Sequence, residues 1–219
     1  MNYENPVEIC PRPRPKGSVI WLHGLGADGN DFVPIIEMLD LPHLRYVLPH
    51  APYRKVTINN GYEMRAWYDI FSLTPGSQQD EAGIRQSQSY IEMLIANEVL
   101  LGSPLQRIAL AGFSQGGAIV LHTATRQQGR LAGVLALSTY LPIAASLATE
   151  KTVASLHTPI YMAHGNYDEI INIQTGMTSL EKLQSEGYQV DWHEYAMGHS
   201  VCAEEIADIR AFLLQVLPE

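Results

Sequence analysis

Three side chains in this sequence have the chemistry and the order of a nucleophile, an acid and a base. Residues 107–117 read RIALAGFSQGG, with Ser114 between Gly112 and Gly116. A G-x-S-x-G stretch directly after an apolar run puts a serine on a sharp strand-to-helix turn, its hydroxyl clear of the backbone. The N–H of Gln115 then opens a helix, where it can meet developing negative charge. Alone, the motif also fits a serine that merely caps a helix, so partners must be sought. In folds built on this turn the order is serine, acid, histidine. PIYMAHGNYDEI supplies Asp168 just past a strand end, and YAMGHSVCAEEI supplies His199 in a glycine-containing turn before the last helix.

The eight histidines permit an elimination. His23, His43 and His50 precede the serine, and His157 and His164 precede the acid. His122 lies one to two turns into the helix after Ser114 and points away from it. His193 falls inside a strand pattern, which leaves His199. Among rival acids, Asp191 is inside a strand, Asp208 is in the last helix, and Asp28 and Asp69 come too early. An aspartate that only forms a turn remains the alternative for Asp168. In this arrangement His199 takes the Ser114 proton and returns it to the leaving group, while Asp168 orients the ring. Acyl transfer needs a second oxyanion donor. HGLGADGNDF (23–32) is a glycine-rich turn after the first clear strand, and the N–H of Leu25 is its candidate. His23 is expected to brace that turn by hydrogen bonds.

These groups need a scaffold, and the hydrophobic pattern describes one. Short apolar runs at 18–24, 45–52, 107–112, 132–138 and 159–165 read as buried strands, and YQVDWHEY (188–195) as a further one. Ile84, Ile91, Leu94 and Ile95 mark one face of a helix over 80–101, closed by Gly102-Ser103-Pro104. Residues 114–127 read as helical. Apolar residues at helical spacing also mark Phe32–Leu39, Met177–Leu183 and Ile206–Val216. Alternating strands and helices imply a mostly parallel sheet covered on both faces. Residues 53–79 show no steady period and form an excursion of the kind that contributes to binding sites.

Bulk properties narrow the function classes. The chain has 219 residues, 46% hydrophobic and 17% charged, enough for one sizeable core but not for two comfortable domains. A net charge of -9 without a basic stripe argues against nucleic-acid binding, and weakly against standing adhesion to anionic lipid. Cys10 and Cys202 form neither a CxxC nor a disulfide framework. No signal-peptide core and no membrane-span-length apolar run is present, so a soluble, reduced, cytoplasmic protein is expected. No metal-ligand spacing and no P-loop lysine is found, and no cofactor is inferred.

IWLHGLGADGNDF, MRAWYDI, AGFSQGGA, LALSTYLP, HGNYDEI and GHSVCAEEI together resemble the carboxylesterase/acyl-protein thioesterase family of α/β-hydrolases, from about residue 17 to the C-terminus. The resemblance implies an α/β-hydrolase fold as a single domain over 17–219, and the Pro-rich CPRPRPKG stretch reads as part of an extended lead-in at 1–16 rather than a docking motif. It implies a serine hydrolase with Ser114, Asp168 and His199 as triad and the N–H groups of Leu25 and Gln115 as oxyanion hole. The substrates would be short-to-medium acyl esters or thioesters, free or linked to a protein. Lysophospholipase or depalmitoylating activity is the alternative within the class, and a catalytically silent acyl-binding module the alternative outside it. The family's apolar acyl groove would draw Trp67, Leu73 and Leu141 to its wall, though Trp67 fits core packing equally well. The acid loop departs from the family's Val-Val or Pro-Val pair, since DEIIN carries Ile170-Ile171. At most transient membrane contact is expected, and a homodimer is allowed.

Overall fold

The computed structural model describes residues 3–74 and 76–219. Residues 1 and 2 of the expected lead-in and residue 75 of the 53–79 excursion lie outside the described residues. In chain order the elements are β1 (Val7–Ile9), β2 (Gly17–Leu22), α1 (Val33–Leu39), β3 (Leu44–Leu48), β4 (Tyr53–Val56), β5 (Tyr62–Arg65) and α2 (Glu81–Leu100). They continue with β6 (Ile108–Phe113), α3 (Gln115–Ala124), β7 (Gly133–Leu137), α4 (Leu147–Glu150), β8 (Ile160–Gly165), α5 (Ile173–Ser185), β9 (Val190–Tyr195) and α6 (Ala203–Val216).

Seven strands form one sheet in the order β1-β3-β2-β6-β7-β8-β9. All neighbours are parallel except the β1–β3 edge pair. The continuous apolar runs follow from this, because a parallel strand with helices on both sides buries every residue. β2 shows the division of labour. Ile20 and Leu22 join a core with Ile84 and Ile91 of α2 and Ile119 of α3. Val19 and Trp21 face the opposite core, with Ile36 of α1 and Ile209 of α6.

Chain order places the site. From β2 the chain moves outward to β3, and it then returns to β6 on the other side of β2. This reversal is a topological switch point, and ligands in open α/β sheets bind beyond the strand ends there. Leu22 pairs with Gly112, so the turns that follow β2 and β6 emerge side by side.

The 53–79 excursion contains order that periodicity did not reveal. β4 and β5 form an antiparallel hairpin outside the main sheet, with Tyr53 opposite Arg65. Asn60 and Gly61 take left-handed conformations (φ 55 and 73) at its tip. Arg54 and Val56 of β4 turn inward while Tyr53, Lys55, Tyr62 and Glu63 are exposed, and an inward face that mixes a charged with an apolar residue imposes no hydrophobic alternation on the sequence.

Candidate active site

Ser114 follows β6 at φ 54 and ψ -119, a state that L-residues rarely occupy. Its surroundings hold it there. The Ser114 N–H donates to Leu137 O (2.9 Å), and Thr139 Oγ1 donates to Ser114 O (2.6 Å). The flanking glycines are needed for space. A Cβ on Gly112 would lie 2.5 Å from the Gly116 carbonyl oxygen, and one on Gly116 would lie 2.6 Å from His23 O. The nucleophile turn is therefore packed directly against the end of β2.

The acid and base come from two more distant strands. Asp168 stands three residues beyond β8 and His199 four residues beyond β9. The two loops are tied together by Asn166 N–H to Tyr195 O (2.8 Å) and Tyr167 N–H to Met197 O (3.0 Å). Gly165 permits this approach, because a Cβ there would collide with the Met197 and Gly198 carbonyls. Asp168 Oδ1 accepts from the N–H groups of Ile170 (2.9 Å) and Ile171 (2.8 Å). Its Oδ2 lies 2.7 Å from His199 Nδ1, and His199 Nε2 lies 2.8 Å from Ser114 Oγ. The carboxylate only accepts, so Nδ1 carries the proton and Nε2 is left to accept from the serine. The Phe113 ring packs 4.8 Å from the imidazole, centroid to centroid.

The structure thus brings Ser114, Asp168 and His199 into one hydrogen-bonded chain. Leu25 and Gln115 line the cavity above Ser114. Gln115 is the first residue of α3, so its N–H has no acceptor within the helix. His23 fixes the peptide before Leu25. Its Nε2 accepts from Ala51 N–H (3.0 Å), which places the proton on Nδ1, 2.7 Å from Gly24 O. A planar trans peptide whose C=O is held on one side presents its N–H, here that of Leu25, on the other. Burial lowers the His23 pKa to about 4, so the ring keeps this neutral tautomer.

The cavity has a volume of about 620 Å³. Leu73 is among its lining residues. Trp67 and Leu141 are not, and both are buried core residues. The Trp67 indole N–H donates to His23 O (2.8 Å), and its backbone N–H donates to Gln115 Oε1 (2.8 Å), which hold the residue inward. Their chain neighbours Tyr68 and Tyr140 line the cavity instead, joined by Ile58, Ile70 and Phe32. Ile170 and Ile171, the departure noted in the acid loop, also line it.

Sequence reasoning missed the Gln115 side chain, which also donates from Nε2 to Tyr68 O (2.7 Å). That amide ties the excursion to the nucleophile turn, and the glutamine in GFSQGG was its one signal. His164 was also missed. Its Nε2 is 2.7 Å from Ile171 O and 3.4 Å from Asp168 Oδ2, and burial lowers its pKa. No group of three or more His, Cys, Asp or Glu among the described residues is placed to hold a metal ion.

The chain is similar in sequence and in fold to known proteins. A family model described as Phospholipase/Carboxylesterase matches residues 3–217. Acyl-protein thioesterase 1 of Neurospora crassa is 38% identical, over 98% of this chain and 92% of that protein. Acyl-protein thioesterase 1 of Mycosarcoma maydis is 39% identical, over 96% of each. Among solved structures, Arabidopsis thaliana SOBER1 superposes with a TM-score of 0.88 at 28% identity, covering 92% of this chain and 99% of that one. Zea mays acyl-protein thioesterase 2 superposes with a TM-score of 0.88 at 26% identity, covering 98% of this chain and 100% of that one.

Proposed function

The chain belongs to the phospholipase/carboxylesterase family of α/β-hydrolases, and from that premise we propose how its residues divide the work. It is a serine hydrolase of carboxylic ester and thioester bonds. In the proposed route Ser114 Oγ attacks the acyl carbon as His199 Nε2 takes its proton. The Leu25 and Gln115 N–H groups hold the tetrahedral oxyanion. His199 then gives the proton to the departing thiolate or alkoxide, leaving Ser114 acylated. Water, deprotonated by His199, releases the acid and restores the serine. Asp168 keeps the ring oriented and balances its charge.

The observation that carries this reading is the unbroken chain Ser114 Oγ, His199, Asp168. Within the class, a thioester on a protein cysteine fits better than a lysophospholipid. Among the described cavity-lining residues Asp31 is exposed, and no lysine or arginine stands ready for a phosphate. The relatives named acyl-protein thioesterase 1 support the same choice. We place the enzyme in the cytoplasm, in keeping with its two free cysteines. No helix among the described residues is long and apolar enough to cross a membrane. Residues 17–219 are taken as one catalytic domain, with 1–16 as a lead-in whose β1 adds an antiparallel edge strand to the same sheet.

A fluorophosphonate probe tests the mechanism. It is expected to label the wild type and to spare Ser114→Ala, whereas an acyl-binding module without turnover would not be labelled. Competition between an S-acylated peptide and a lysophospholipid in one reaction tests the substrate choice. Faster consumption of the lysophospholipid would reverse it.

A further inference from the structure

A pair of phenols interrupts the apolar wall of the cavity. Tyr68 comes from the excursion between β3 and α2, and Tyr140 from the loop after β7. Both line the cavity, and their hydroxyl oxygens are 2.8 Å apart. Ile58, Ile70, Leu73, Ile170 and Ile171 supply hydrocarbon to the same lining.

The pair leaves one proton without a partner. Each phenol has one O–H to donate. One of the two protons forms the Tyr68–Tyr140 bond, and neither hydroxyl has a second partner among the described residues. Burial raises the pKa of both groups, so both keep their protons at neutral pH. A spare donor therefore remains on one of two residues that line the cavity.

The backbone behind each hydroxyl is fixed. The Gln115 amide bonds to Trp67 N–H and Tyr68 O, on either side of the Trp67–Tyr68 segment. On the other side, Leu141 N–H donates to Ser179 Oγ (2.9 Å). A donor held by ordered elements is preorganised for recognition.

We propose that the Tyr68–Tyr140 pair determines acyl specificity by donating a hydrogen bond to an oxygen within the acyl chain. The favoured acyl group then carries a hydroxy, oxo or ether oxygen at the depth of the pair, in place of plain hydrocarbon. The proposal rests on the acyl-transfer reading of Ser114. Its physical basis is asymmetric. A plain chain that covers the pair removes water from the spare O–H and returns no bond, whereas an oxygen at that depth restores one. Sites built to hydrogen-bond a substrate group discriminate against analogues that lack it, because their own polar atoms are left unpaired.

The test compares p-nitrophenyl octanoate with isosteres in which an ether oxygen replaces one methylene, from the third carbon outward. Each kcat/KM is divided by the alkaline hydrolysis rate of the same ester. In the wild type one position, or two adjacent ones, is expected to exceed the plain chain by about three- to tenfold. Tyr68→Phe and Tyr140→Phe are each expected to shrink that preference, and the double variant to favour the plain chain. Every ratio is taken within one enzyme, so a partly unfolded preparation does not alter it. A flat wild-type profile, or a preference that survives in the double variant, overturns the proposal alone. Failure to hydrolyse any ester in the series, together with no fluorophosphonate labelling, overturns the acyl-transfer reading and this proposal with it.

Discussion

Ser114 sits in a backbone state that costs energy, and it stays there because hydrogen bonds at its own N–H and C=O hold it. The proposed roles predict distinct losses for distinct atoms. Ser114→Ala and His199→Ala are each expected to lower kcat by roughly 10⁴–10⁶-fold, on the scale seen when serine-hydrolase triads are dismantled. Turnover above about one per cent in either would remove the mechanism. Asp168→Asn keeps the shape but leaves the ring free to take the wrong tautomer, which predicts a loss of about 10⁴-fold. His23 acts at one remove, through the Gly24 carbonyl that it holds. His23→Phe is expected to lower kcat by about ten- to a hundredfold, less than the 10²–10³ that accompanies outright loss of an oxyanion donor. KM should change little, because the hole matters most when charge develops. A variant in which KM rises and kcat is unaltered would place His23 in ground-state binding instead.

At the scale of elements, the junction of β6 and α3 against β2 is where fold and site meet. Gly116 lies so close to the Leu22 and His23 carbonyls that a methyl group must displace one chain from the other. Gly116→Ala is therefore expected to cost about 1–3 kcal/mol, the usual range for overpacking. It should also lower kcat, since the displaced strand end leads straight into Leu25. Urea unfolding and ester turnover together check this, and full stability with full activity would contradict it. This junction was legible in the sequence because its demands are local: an apolar run, a serine and two glycines at fixed spacing. α2 was legible for a similar reason, as Ile84, Ile91, Leu94 and Ile95 all face the core. β4 and β5 were not, because a two-stranded hairpin that turns Arg54 inward beside Val56 imposes no hydrophobic alternation. Its signal was Asn59-Asn60-Gly61, a turn sequence that periodicity does not measure. Trp67 was placed inward by partners remote in sequence, His23 O and the Gln115 side chain. No local pattern could have separated it from its cavity-facing neighbour Tyr68.

Over the whole molecule, buried titratable groups set how stability follows pH. Burial lowers His23 from 6.5 to about 4 and His122 from 6.5 to about 3. Between those values and 6.5 the unfolded chain binds protons that the folded chain refuses. Their contribution is complete above pH 6.5 and is lost as pH falls toward about 4 for His23 and about 3 for His122. Glu205, in the first turn of α6, works in the opposite direction. Its side chain is buried, and burial raises its pKa from 4.5 to about 8. The folded chain then holds a proton that the unfolded chain releases, so stability falls as pH rises from 4.5 through 8. Together these groups predict greatest stability near pH 6.5, with an acid limb from the histidines and an alkaline limb from Glu205. Glu205→Gln keeps the shape and removes the charge, so it should abolish the alkaline limb alone. The stability of the variant relative to the wild type is expected to grow by about 1.4 kcal/mol for each pH unit between 5 and 8. Urea unfolding at intervals across that range measures the difference directly. Curves that stay parallel would mean that Glu205 is already ionised in the folded protein. Steep divergence below pH 5 would instead assign the group to the acid limb with the histidines.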